Sequence, residues 1–355
     1  MRKTLILAAA SAALLIAGAA SAQSIGGAQS QNNSGPQAGQ TNVVGAIVVR
    51  DATVQPQAIG NSLFYDATAA TSATKNISAR DVSQFNTGAQ SAQANVALVA
   101  VGRELNVSTQ AIGNTLTTNG ANQNDVLGRQ ENYGSQAAQS NIGLVATGRD
   151  LNVETVALGN NAALNKGNVQ TNLTQINGGA QLAQTNVVGV AVNMSADVMA
   201  QAVGNNLRLT TTLGAVPGAN QANTGVQVAQ TNVGAALVND NLNASAGAFG
   251  NSLFVSANGP ITNGGWTSVK QTNHGPQFAQ TNIGLVSVGG DLTASASAVG
   301  SSASFIGASV NLPNFTQVNT GPQVSQVNVG GSIVAGNLSA SASAVGNSGS
   351  FTARP

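Results

Sequence analysis

Cysteine is absent from this 355-residue chain, charged residues make up only 6% of it, and aromatics only 3%. Without cysteine there is no disulfide and no thiolate metal site, so stability rests on backbone pairing and packing. An ordinary soluble domain carries about 25% charged residues, so this surface must be solvated by neutral amides and hydroxyls instead. The formal net charge is +1, and Lys and Arg do not cluster beyond the first residues. A phosphate-binding face, and with it nucleic acid as a partner, is excluded on that ground. Scarce aromatics imply a thin core of Ala, Val, Ile and Leu. Disorder normally needs low apolarity and high net charge, whereas 42% of this chain is hydrophobic.

The N-terminus has the layout of an export signal: Arg2 and Lys3, an apolar run from Leu5 to Gly18, then Ala20-Ser21-Ala22. This predicts a signal peptide over 1–22, with Gln23 opening a single repeat domain over 23–355. No other segment is long and apolar enough to span a bilayer. The expected location is extracellular, at a bacterial cell surface.

What the chain does have is repetition. The pattern Q-x-N-x-G-x-Q-x-x-Q-x-N opens at Gln31, Gln84, Gln130, Gln175, Gln221, Gln271 and Gln317. A second signature, A-[IVLF]-G-[NS], places its glycine 29 residues after each opening glutamine, as at Gly113 followed by Asn114. From that glycine to the next glutamine the spacing varies from 16 to 24 residues. A fixed core with length changes in one connector, such as Thr68–Arg80 or Asn258–Val269, is the signature of a stacked solenoid.

Within a unit, Leu292, Ala294, Ala296 and Ala298 alternate with polar residues, which is the period of a strand with one buried face. After the Gly-Asn step the alternation resumes, at Leu207 and Leu209 or Leu253 and Val255. That step is expected to be a corner, since Gly and Asn tolerate positive φ. Abundant Gly, Asn, Ser, Thr and Val argue against helix. The fold class predicted is all-β, a solenoid of seven units of about 46 residues. One coil per unit and two coils per unit both fit, the latter giving a stack of roughly 65 Å and the former about half that.

In such a stack, like residues sit about 4.8 Å apart and their amides can bond along the axis as ladders. Gln84, Asn86, Gly88, Gln90, Gln93 and Asn95 are the expected ladder positions, with Gly113 and Asn114 at the second signature. A buried amide is tolerated only when paired, which accounts for the fixed register of these residues.

On these motifs the chain resembles curlin-type fibre subunits, whose repeats are strand–turn–strand coils carrying Q-x-G and G-N. It is also similar to the holdfast attachment proteins of stalked alphaproteobacteria, which carry A-[IV]-G-N units among Asn/Gln-rich stretches. The resemblance spans Gln31 to Phe351. It implies an extracellular role in adhesion, in anchoring an adhesive polysaccharide or in building a curli-like fibre. Self-association, or docking to another secreted surface protein, is then the expected partnership.

Catalytic chemistry is not expected. His274, the single histidine, replaces residues such as Thr87, Tyr133 and Gly178 at a variable turn position. The acids are scattered, several at a shared turn (Asp51, Glu104, Asp150, Asp291), too few in any one place for the six or more oxygens of calcium. No cofactor or metal is assigned. Trp266, in a length-variable connector, is the one candidate for stacking on a sugar ring, in a second reading where the inter-repeat loops bind extracellular polysaccharide.

Overall fold

The computed structural model describes residues 24–354 except 27, 67–75, 120–122, 166–167 and 263–267. The segment read as a signal peptide, and Trp266, lie outside the described residues. Among the described residues the architecture is all-β and solenoid-like, with three sheets of 11, 12 and 8 strands running side by side along the stack. Every strand pairing among the described residues is parallel, as a coiling chain requires.

One circuit illustrates the path. Asn76–Asn86 lies in sheet I, Gln90–Val101 in sheet II and Leu105–Asn119 in sheet III. Gln84 then pairs with Gln31 on one side and Gln130 on the other. The chain therefore returns to the same lateral position after a single circuit, which removes the two-coil alternative. It also corrects the strand–turn–strand picture, because each circuit passes through three sheets. The first turn falls at Gly88, where a Cβ would collide with the carbonyl of Gly35 one rung below. Backbones of successive rungs touch directly there, so only glycine fits.

Sheet III faces both other sheets. Its first half, Leu105 and Val107, packs on Val96, Val99 and Val101 of sheet II. Its second half, through Leu116, packs on Ile77, Ala79 and Val82 of sheet I. Between these two cores lies an alanine cluster, with Ala92 and Ala111 among its members. The layers pinch together where small residues meet and spread where Val and Leu fill the gap. Each fully buried Val or Leu contributes about 1.5–3 kcal/mol of transfer free energy.

A strict period of two could not serve both cores. In Leu105–Asn119 the buried residues alternate over Leu105, Val107, Thr109 and Ala111, run on through Ile112 and Gly113, and alternate again over Asn114, Leu116 and Thr118. The phase changes at Ile112-Gly113, and Gly113 is skipped in the pairing with the next rung. The A-[IVLF]-G-[NS] signature is thus an irregularity inside one long strand. The corner expected there is corrected: φ at Gly113 is not positive, and the strand continues through it.

Length variation falls from the end of sheet III into the first part of sheet I, in shorter segments than expected: extra residues separate Ile261–Thr262 from Val269–Asn273, both in sheet I, and a bulge at Asp81 adds one within Asn76–Asn86. Asn76–Arg80 already belongs to the sheet I strand, and Ile261–Thr262 forms a short strand inside the second connector.

Candidate functional site

Two features are built from the repeated residues, one inside the stack and one on its outer face. The internal one is the corner between sheets I and II. Asn132 Nδ2 donates to Gly134 O at 3.0 Å, closing the turn, and to Gln136 Oε1 at 2.9 Å. It also donates to Asn177 Oδ1 of the following rung at 2.8 Å. Gln130 Nε2 donates to Gln84 Oε1 at 2.7 Å, and Gln136 Nε2 to Gln90 Oε1 at 2.7 Å. Across the pinch, Asn114 Nδ2 donates to Glu131 O at 2.7 Å and to Asn160 Oδ1 at 2.8 Å. These amides are buried, and the bonds satisfy donors that would otherwise be costly. A Cβ on Gly113 would strike Asn132 Oδ1, so the glycine makes room for the row of asparagines.

Of the expected ladder residues, Gln84, Asn86 and Gln90 lie in this corner, Gly88 at its turn, and Gly113 and Asn114 opposite. Gln93 and Asn95 are placed differently. They face outward on sheet II and are only partly buried, so the buried setting expected for them is corrected. Asn95 still bonds along the stack, donating to Asn42 Oδ1 at 2.7 Å and accepting from Asn141 Nδ2 at 2.9 Å.

The outer face of sheet II carries a feature that sequence reading missed. One residue per rung has positive φ: Leu98, Leu144, Ala235 and Leu285, with glycine at 45, 189 and 331. Each lies 14 residues after its opening glutamine. The left-handed conformation costs a non-glycine residue on the order of 1–3 kcal/mol. Here it leaves two successive residues, Ala97 and Leu98, pointing outward, and the inward alternation restarts at Val99. The repeated kink creates an open trough of about 880 Å³ along the stack, floored by backbone and lined by Leu98, Ala146, Gly189, Leu237 and Leu285. Large apolar side chains stand exposed along it, Leu285 at 75% and Ile333 at 73%. No strand of sheet II contains Asp, Glu, Lys or Arg. The signal in the sequence was position 14, held to Gly, Ala or Leu two residues after an inward Val or Ile.

Charged residues sit on the turn between sheets II and III. Arg103 lies 3.7 Å from Asp51, and Arg149 lies 3.6 Å from Glu104, each pair bridging adjacent rungs. Asp150 accepts from Ser195 N at 3.2 Å, and Asp291 from Asn337 N at 2.7 Å. These acids therefore act as stacked turn caps. Among the described residues no three His, Cys, Asp or Glu side chains gather. His274 is exposed at the first turn, its Nδ1 2.5 Å from Thr320 Oγ1 at the same place one rung on. Tyr133 donates to Glu131 at 3.0 Å; partial burial, that bond and the Glu131 charge push its pKa above 10.0.

No helix among the described residues is long and apolar enough to cross a membrane. No curated protein and no solved structure gives a significant match to the chain. The family model for holdfast attachment protein D matches residues 66–323, well over half of the sequence and most of the three-sheet stack. The chain is a member of the holdfast attachment protein D family.

Proposed function

We propose that this is an exported, non-enzymatic adhesion protein that builds or anchors a surface structure by continuing its own β-stack. The observation that carries this reading is the state of the last described rung. Leu338 and Phe351 are 54% and 52% exposed, whereas their counterparts one rung earlier, Leu292 and Phe305, are both fully buried. Unpartnered strand edges with apolar inward positions are templates for another chain. The amide rows support the same reading, since a partner rung presenting Gln and Asn in register would extend each ladder. Seven units in register over the repeat domain supply a rigid spacer of about 30 Å between the two ends.

The test is negative-stain electron microscopy of the purified chain, paired with Leu338→Asp and Phe351→Asp. End-to-end filaments shortened or lost in both variants are expected. Filaments unaffected by either charge would overturn the stacking mechanism.

A further inference from the structure

The uncharged face of sheet II presents two rows of side chains along its trough, the kink residues and those two positions later. Their sizes are coupled rung by rung. Where the kink residue is Leu, its companion is small: Leu98 with Ala100, Leu144 with Ala146, Leu285 with Ser287. Where the kink residue is Gly or Ala, the companion is large: Gly45 with Ile47, Ala235 with Leu237, Gly331 with Ile333. The middle rung has Gly189 with Ala191, leaving a gap at the centre of the trough. Burial inside the protein cannot cause this coupling, because both rows point outward. Nor does solvent favour one large aliphatic per rung on an open face.

We infer that a second copy of this chain packs against sheet II, side by side, with the two stacks parallel. A twofold axis running along the trough brings the kink row of one copy over the companion row of the other at the same rung. Leu98 then meets the small Ala100 position, Ile47 meets Gly45, and Leu237 meets Ala235. Large opposes small in six rungs, and the Gly189–Ala191 rung opposes its own small residues. The operation also sets the outward Asn95 row above the charged turn that contains Arg103, so a polar rim borders the apolar seam. A twofold contact of this kind is self-complementary and closes at two copies.

Size and charge fit that occupant. Rung and residue spacings make the outer face of sheet II about 30 Å by about 40 Å, more than the roughly 800 Å² per partner of a stable pair. The absence of any charged residue in its strands leaves no repulsion between identical faces. The apolar strip formed by the kink and companion rows within that face, bordered by the outward Gln and Asn rows, is the kind of patch that marks an interaction site in a folded protein.

This pairing is lateral and independent of the end-to-end stacking proposed above. Pairs without filaments would uphold it while refuting that mechanism. The test is sedimentation velocity of the full chain with Leu144→Asp, Leu285→Asp and, on sheet III, Phe64→Asp. A dimer is expected for the parent and for Phe64→Asp, with association weakened at least tenfold in each leucine variant. Circular dichroism should show the same β-sheet spectrum in all of them. Since the chain has no cysteine, a mixture of Leu98→Cys and Ala100→Cys chains treated with a short bismaleimide reports the register. Cross-linking in the mixture above that of either chain alone supports the parallel pair. A monomeric parent, association indifferent to both aspartates, or cross-linking confined to Leu98→Cys alone would each overturn the inference. So would a monomer whose trough instead retains a neutral polysaccharide.

Discussion

Asn132 and Gln136 exchange hydrogen bonds within one rung, Nδ2 to Oε1 at 2.9 Å and Nε2 to Oδ1 at 3.0 Å, yet they donate in opposite directions along the stack. Asn132 reaches forward to Asn177, and Gln136 reaches back to Gln90. Gln130 also points back, to Gln84, while Asn160 points forward, to Asn205. Rows of amide dipoles inside the corner therefore oppose one another. Each row gains from mutual polarisation, and no net dipole accumulates in a low-dielectric interior.

Breaking one row should cost much more than altering a surface amide. Gln130→Ala removes the donor to Gln84 Oε1 and one of the two acceptors of buried Gln175 Nε2, which keeps its bond to Asn206 O. A loss of about 2–4 kcal/mol is expected in urea unfolding, since unsatisfied buried groups keep their desolvation penalty. Gln139→Ala, on the outer face, should change stability by about 0.5 kcal/mol or less. Equal effects would show that the inner rows do not hold the stack.

Two glycine variants test the pinch. Gly113→Ala drives a methyl into Asn132 and the Gly159 carbonyl, where neither side can retreat. It should cost about 3 kcal/mol or more, read as a lower urea midpoint. Gly143→Ala, whose new methyl meets only Val188 O at 3.7 Å, should be neutral or stabilising by about 0.5 kcal/mol.

The kink row predicts a conflict between stability and association. Leu144 has φ of 53°, so Leu144→Gly relieves backbone strain. A rise in stability of about 1 kcal/mol is expected, together with weaker self-association in sedimentation.

The solenoid and its register were legible because like residues recur at fixed offsets, and parallel in-register pairing is the arrangement that stacks them. The inward sets Leu292, Ala294, Ala296 and Ala298, then Leu207 and Leu209, followed from period two. Gln93 was misplaced although the signal was present. It lies three residues after Gln90, and an odd separation in one strand puts two side chains on opposite faces. The third strand and both phase changes were hidden for a different reason. Val96-Ala-Leu-Val reads as one apolar run, and only backbone geometry shows that Ala97 and Leu98 turn outward within it. The Gly-Asn step looked like a corner because local preference favours one. Two cores on the same side of a long strand require a change of phase there instead.

Aromatic packing near the end of the stack gives a further check. Phe305 is stacked 5.3 Å from Phe351 and meets Phe315 edge-on at 5.7 Å. Phe305→Ala should lose about 3–5 kcal/mol, and exposed Phe64→Ala at most about 0.5 kcal/mol, in denaturant unfolding.

Tyr65 and Tyr133, the two tyrosines of the sequence, are both pushed above the ordinary 10.0, Tyr65 by burial and Tyr133 by burial and then Glu131. A raised folded-state pKa favours the neutral phenol. Its stabilising contribution is intact below pH 10 and declines as pH climbs past the folded value. The midpoint of the absorbance rise at 295 nm should therefore lie above pH 10, and lower in Glu131→Gln than in the parent. A midpoint below 10 would contradict the placement of the rings.

All differences in rung length fall between the second-signature glycine and the next opening glutamine, so every insertion emerges along one seam that takes in the end of sheet III and the first part of sheet I. The other two turns are locked by contacts with the rungs above and below. That division lets the molecule diversify a single stripe of its surface at little thermodynamic risk. The seam is accordingly where a tag or a foreign epitope can be grafted while the scaffold stays intact.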